Sequence, residues 1–244
     1  MHLRWICLAL VFHLIEGNQL PPDVQKCRYG DEKCLLRTSN ALIKRYGKVG
    51  LPEISLPPLN ALKVKNGKLG GGDPNGPLWS KWILSDHWAY GIENFTLSRI
   101  RGFNADPSRS QVEIHGRTPS LRSKLKFKFI SKFLNIYVNA SGQADSDFQN
   151  FRFIAKFSLT PVKEGYVKIY NLDLRIEIDR WILDIPNLFV SNTDLTVIAN
   201  QWVNKNWKEY WVDIEPEVTA EMRHEFDHRL NDIFSAIPYK DLFL

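Results

Sequence analysis

Methionine and cysteine are scarce in this 244-residue chain, at two and three copies. After the first fifteen residues no apolar run approaches the roughly 20 residues needed to span a bilayer as a helix. Three cysteines cannot build a disulfide-dense scaffold or a closed four-thiolate zinc site. No Gly-x-Ser-x-Gly nucleophile elbow occurs. The glycine-rich stretch Gly70-Gly71-Gly72-Asp73-Pro74-Asn75-Gly76-Pro77 is not followed by Gly-Lys-Ser/Thr and lacks a strand–glycine–helix setting, so it reads as a turn rather than a phosphate cradle. Charge of one sign is not concentrated either. The net charge is +5 with pI ≈ 9.0, but signs alternate, as in Arg175, Glu177, Asp179 and Arg180. That argues against a nucleic-acid-binding face. No flexible linker divides the chain, which suits one domain.

What is present begins with a leader. Met1-His2-Leu3-Arg4 is a basic start, Trp5 to Ile15 a short apolar run, and Glu16-Gly17-Asn18 a plausible end. Residues 1–18 are therefore expected to be a secretory signal peptide, with residues 19–244 forming a single extracellular domain. Cleavage removes Cys7 and leaves Cys27 and Cys34, an even pair in an oxidising compartment, expected to be bridged. The loop is short, so the chain-entropy gain is only about 2.5 kcal/mol.

Asp31 is placed to cap a short helix running through about Tyr46, with Gly47 closing it and Leu35, Leu42 and Tyr46 inward. Leu51-Pro52-Glu53-Ile54 and Leu56-Pro57-Pro58-Leu59 are paced by proline and cannot be helix. The middle of the chain alternates with period two. Leu125, Phe127 and Phe129 are interleaved with Lys124, Lys126 and Lys128, and further apolar series run through Phe151, Phe153, Ala155, Phe157 and Leu159 and through Leu172, Leu174, Ile176 and Ile178. Parity slips near Phe133 and Asn171 predict β-bulges. Trp181 to Pro186 reads as a short apolar edge. From Val203 to Ile237 apolar residues recur every three or four positions, which predicts one long amphipathic helix about 50 Å in length, continuous but kinked at Pro216.

Only a large sheet could bury so long a stripe. The expected class is therefore α+β: a strongly curved antiparallel sheet wrapped around a long C-terminal helix, enclosing a hydrophobic tunnel suited to a lipid. Phe127, Phe129, Phe153 and Phe157 on the strands, with Trp202, Trp207, Trp211 and Phe226 on the helix, are the candidate lining residues. Each could equally be ordinary core, but aromatic walls with few convergent charges suit an apolar ligand. Tyr137, Tyr166, Tyr170 and Tyr210 are candidate polar anchors.

His224-Glu225-Phe226-Asp227-His228 matches the His-Glu-x-x-His zinc-protease pattern. A catalytic zinc needs a third protein ligand, and neither His nor Glu occurs between Arg229 and Leu244. The expected reading is a charged helix flank, no metal, no cofactor and no enzymatic activity. The sequons Asn94-Phe95-Thr96 and Asn139-Ala140-Ser141 are candidate glycan sites, Asn139 in an expected hairpin turn with Gly142 and Asp145.

Cys27 and Cys34, Gly50-Leu51-Pro52-Glu53, Leu56-Pro57-Pro58-Leu59, Asn204-Lys205-Asn206-Trp207, Pro216, Asn231-Asp232-Ile233-Phe234, Ile237-Pro238 and Leu242-Phe243, in that order, resemble the insect takeout and juvenile-hormone-binding family. The chain departs at Asn60-Ala61, where the family commonly has Asp-Pro. The resemblance implies the tubular lipid-binding fold, paired cysteines, and a secreted carrier of a terpenoid, fatty acid or similar lipophile; a monomer is expected, with no nucleic-acid partner and no stable membrane insertion. An alternative is a secreted lipid-surface or receptor interaction protein with no stoichiometric internal ligand.

Overall fold

The computed structural model describes residues 19–70, 78–133, 136–189 and 192–244. The expected leader, most of the Gly70–Pro77 turn and Leu134 lie outside them, as does the side chain of Tyr137. Helix α1 runs Glu32–Tyr46, with Asp31 accepting from the Cys34 N–H and Gly47 at its end, as the sequence predicts. Cys27 and Cys34 are disulfide-bonded. The loop they close lies against the C-terminus: Leu244 N–H donates to Cys27 O, and Tyr29 stacks on Phe243 with ring centroids 4.4 Å apart.

The sheet is antiparallel with eight strands. Its spine is a hairpin of two very long strands, β5 Gln111–Phe133 and β6 Ile136–Pro161, in register from Gln111↔Ser158 to Phe133↔Ile136. The parity change near Phe133 is therefore the end of one strand and the start of the next, not a bulge. Strands β3 (Leu78–Tyr90) and β4 (Thr96–Arg101) share the outer edge of β5, while β7 (Val167–Glu177) and β8 (Arg180–Asp184) share that of β6. Short strands β1 (Leu62–Val64) and β2 (Lys68–Leu69) pair with β3.

A straight 23-residue strand would be about 75 Å long, so β5 must coil to stay with its neighbours. Bulges supply the bend. One lies at Asn171, which has φ 54 where the β6–β7 register shifts, as the sequence predicts. Others lie between Leu97 and Arg99 and at Asp86, which has φ 48. At Pro119 and Asn150, on facing strands, the buried set changes parity on both sides: Leu121 and Phe148 are followed by Thr118 and Phe151.

The predicted long helix is α3, Trp207–Ala236, which starts four residues later than expected because a separate helix, α2, Thr193–Lys205, precedes it. They part at Asn206, whose side chain and backbone N–H both donate to Trp202 O and end the first helix. Helix α3 continues through Pro216. The carbonyl freed by the proline belongs to Val212, 73% exposed, where water can serve it.

Asparagine side chains fasten the helices to strand edges. Asn40 of α1 donates to Leu97 O and accepts from Leu97 N–H on β4. Asn200 and Asn204 of α2 do the same at Ile185, just beyond β8, and at Leu183 on β8. Asn231 of α3 accepts from Ile169 N–H on β7. Each amide meets groups that an open edge would otherwise leave unpaired.

Candidate functional site

The sheet's inward face and the apolar stripe of α3 face each other, and their side chains sort into separate clusters. At the end nearest the Cys27–Cys34 loop and Leu244, Val112, Phe157, Leu159, Val167 and Ile169 pack with Phe234, Tyr239 and Phe243. Leu159 is wholly buried there, and Tyr239 OH donates to Asn104 O. This end is a filled core. Phe157, whose ring lies 6.4 Å from that of Phe234, belongs to it.

The middle cluster holds Leu121, Phe148, Phe151, Phe153, Leu174, Trp181 and Trp207. Phe226 meets Phe153 edge-on at 5.1 Å, and Trp211 lies 5.6 Å from Phe148 and 6.0 Å from Trp181. At the far end Leu84, Phe127, Ala144 and Ile185 pack with Trp82, Leu125 and Phe129. Trp82 bridges Phe127 and Phe129 at 5.3 and 4.3 Å. Lys124, Lys126 and Lys128 point to solvent, as their alternation predicts.

Burial is uneven across these walls. Tyr210, Trp211, Ile214, Val218, Met222 and Phe226 of α3 all face the middle cluster, yet each is only half-buried. Leu125, Phe129 and Trp82 in the far cluster of the sheet's inward face are half-buried as well. The backbone of α3 runs close to β7 and approaches β8 and β2 only locally. Where two apolar faces oppose each other, tight packing would exclude water from both. Here both faces retain accessible surface.

Of the sequence-predicted lining residues, Phe153, Trp207, Trp211 and Phe226 meet in the middle cluster, Phe127 and Phe129 in the far one, and Phe157 in the closed end. Trp202 must be corrected. It is 55% exposed, with its ring edge-on to Tyr210 at 5.4 Å. Its helix is turned inside out: Thr196, Asn200 and Asn204 face the β8 side, so Leu195, Ile198 and Trp202 are left to solvent. Trp82, Phe148 and Trp181 were missed. The signal for Trp181 was its place in the apolar stretch read only as an edge.

Asn139 is also corrected: it lies within β6, opposite Ile130, and not in a turn, although its side chain is exposed. Asn94 is exposed at the end of a 3-10 turn, Ile92–Asn94. Of the candidate tyrosine anchors, Tyr170 is exposed and Tyr210 packs beside the middle cluster, where burial raises its pKa.

A polar pair stands in the inward wall. His87 Nε2 lies 2.6 Å from Ser123 Oγ. The bulge at Asp86 shifts the pleat so that His87 shares the inward face with Ala89, opposite Val64 of β1. Burial pushes the His87 imidazole below its ordinary pKa, while the charge of Glu225 on α3 pulls the other way. Glu225 is ion-paired with Arg229 at 2.7 Å, and Arg229 also donates to Lys63 O. In the His-Glu-x-x-His stretch, then, the glutamate faces inward, whereas His224 is exposed and His228 lies 3.6 Å from Asp232. Among the described residues no group of three or more His, Cys, Asp and Glu side chains is placed to hold a metal.

The model of the haemolymph juvenile hormone binding protein family matches residues 5–244. This chain belongs to that family. It is 22% identical over 249 residues to the circadian clock-controlled protein daywake of Drosophila yakuba, covering 99% of this chain and 95% of the relative. Takeout 1 of Epiphyas postvittana, a crystal structure, has the same fold: TM-score 0.70 at 16% identity, over 88% of this chain and 97% of that one. The curled antiparallel sheet with its long C-terminal helix matches the fold of Takeout 1. No helix among the described residues is long and apolar enough to cross a membrane.

Proposed function

We propose that this protein is a secreted carrier that holds one small lipophile between α3 and the inward face of the sheet. The observation that carries the reading is the half-buried state of two apolar sets, Tyr210 to Phe226 on α3 and Trp82, Leu125 and Phe129 on the inward face of the sheet. A slender apolar molecule between them would remove that residual surface from water, at about 25 cal/mol per Å². Membership of a family named for binding juvenile hormone in haemolymph supports the same reading. The ligand class is an isoprenoid, a fatty acid or a similar chain. For about twenty heavy atoms at roughly 0.3 kcal/mol each, apolar contact alone gives binding in the tens of μM, so tighter binding requires a polar anchor.

In this proposal residues 1–18 are removed on secretion, residues 19–244 act as one monomeric domain without cofactor or catalysis, and Asn94 and Asn139, both exposed, are glycan acceptors. Phe129 sits at the far end of the interior beside Trp82, so Phe129→Trp shortens the space and Lys128→Ala, on the outer face, does not. Displacement of a fluorescent fatty acid across a series of chain lengths tests this. Phe129→Trp is expected to weaken long chains more than short ones and Lys128→Ala to change neither. Equal effects, or no saturable binding of any lipophile, would overturn it.

A second reading, a lipid-surface interaction protein without an internal ligand, is favoured by one feature: the solvent-facing Leu195, Ile198 and Trp202 of α2. Flotation with vesicles together with an empty interior would support it over the carrier.

A further inference from the structure

Ser123 interrupts an apolar wall. On β5 its neighbours on the same face are Leu121 of the middle cluster and Leu125 of the far cluster. It is itself buried, at 8% exposure, and joined to His87. Directly across the hairpin stands Ser146, whose Oγ accepts from Trp181 Nε1 at 2.7 Å. A short polar row thus crosses the sheet where the two apolar clusters meet. On α3 the facing residue, Glu225, lies between Met222 and Phe226.

The hydrogen-bond arithmetic of the pair leaves it able to take a further partner. If the serine donates to Nε2, the imidazole keeps an Nδ1–H donor and the serine oxygen keeps acceptor capacity. If the imidazole donates, Nδ1 is an acceptor and the serine proton is free. In either tautomer one donor and one acceptor remain unused. Among the described residues, the cation that pairs with Glu225 is Arg229, and it is already held by that carboxylate and by Lys63 O. A carboxylate head would meet an imidazole and a Glu225–Arg229 pair of no net charge, with nothing there to offset the cost of taking its own charge out of water.

We propose that the His87–Ser123 pair is the polar anchor of the interior and that it selects an uncharged oxygen function, such as an ester, ketone or alcohol, over a free carboxylate. The proposal rests on the carrier reading and names the head group that reading leaves open. The tail then extends along Leu125, Phe127 and Phe129 or along the Phe153–Phe226 side, with the oxygen at the junction.

The test uses the full secreted protein with diphenylhexatriene, a hydrocarbon probe with no oxygen to anchor, displaced by methyl laurate, 1-dodecanol and laurate. Wild type is expected to bind the ester and the alcohol more tightly than laurate. Ser123→Ala and His87→Phe are expected to weaken ester and alcohol about threefold to tenfold, the range of one hydrogen bond, while leaving the hydrocarbon probe within about twofold. His87→Gln, which keeps a donor and an acceptor, should recover most of the loss. Ester and alcohol affinities that stay at the wild-type level in both variants, or a wild type that prefers laurate, would overturn the anchor and leave the carrier standing. No saturable uptake of the hydrocarbon probe by folded wild type would overturn both.

Discussion

Asn204 offers a sharp test of how the fold holds its exposed edge. Its side chain accepts from Leu183 N–H at 2.9 Å and donates to Leu183 O at 2.7 Å and to Asn200 O at 2.9 Å. Asn204→Leu keeps a side chain of similar size and removes all three contacts, leaving the Leu183 N–H and C=O without partners at a half-buried position. An orphaned buried polar group costs about 1–3 kcal/mol. Two of them, partly reached by water, give an expected loss of roughly 2–4 kcal/mol. For a domain of this size that lowers the melting temperature by roughly 5–15 °C. Urea unfolding followed by circular dichroism would measure it, with Lys205→Ala, the exposed neighbour, as a control expected within about 0.5 kcal/mol of wild type. Asn204→Asp keeps the acceptor but loses both donors, so it should fall nearer to leucine than to wild type. If Asn204→Leu unfolds within about 0.5 kcal/mol of wild type at an unchanged slope, the asparagine clamp contributes nothing and the reasoning fails.

Glu113 is held to a pKa of about 2, against 4.5 ordinarily, chiefly by hydrogen bonds from Arg101 and His115. A lowered carboxylate pKa stabilises the fold above the unfolded value, so wild type should outlast Glu113→Gln at neutral pH and lose that advantage as pH falls from about 4.5 to about 2. A gap that stays constant across acid titration would contradict this. Gly116→Ala would bring a methyl within 2.5 Å of the Phe153 ring and should cost about 1–3 kcal/mol in chemical denaturation; a neutral result would mean the ring has room to retreat. His224→Ala and His228→Ala should each change stability by no more than about 0.5 kcal/mol, and chelators should leave the melting temperature unmoved. Stoichiometric zinc lost on either substitution would refute that.

The strands were the most legible part of the sequence, because a half-buried strand writes its two faces into alternate residues. Lys124 to Phe129 and Phe151 to Leu159 show it plainly. The Asp31 cap and the Asn171 bulge were legible for similar local reasons. The helical stripe from Trp207 onward was readable, but its start was not: α2 turns Asn200 and Asn204 inward to serve a strand edge, so its apolar residues report solvent and Trp202 misleads. His87 was hidden by the bulge at Asp86, which changes the parity that pattern reading depends on. Residues quoted for the family resemblance prove to have physical employment. Asn204 and Asn231 clamp β8 and β7, Trp207 is core, and Gly50, at φ 81, lies where a Cβ would sit 2.8 Å from Leu56 O.

Native mass spectrometry of the secreted protein, followed by lipid extraction, bears most directly on whether the space between α3 and the sheet is a binding site. The carrier reading predicts a mass shift matching one bound lipophile per chain, released on organic extraction and restored by adding the extract back. A bare polypeptide mass, after allowance for glycans, together with no uptake of any added lipophile, would show that the facing aromatic walls serve packing alone.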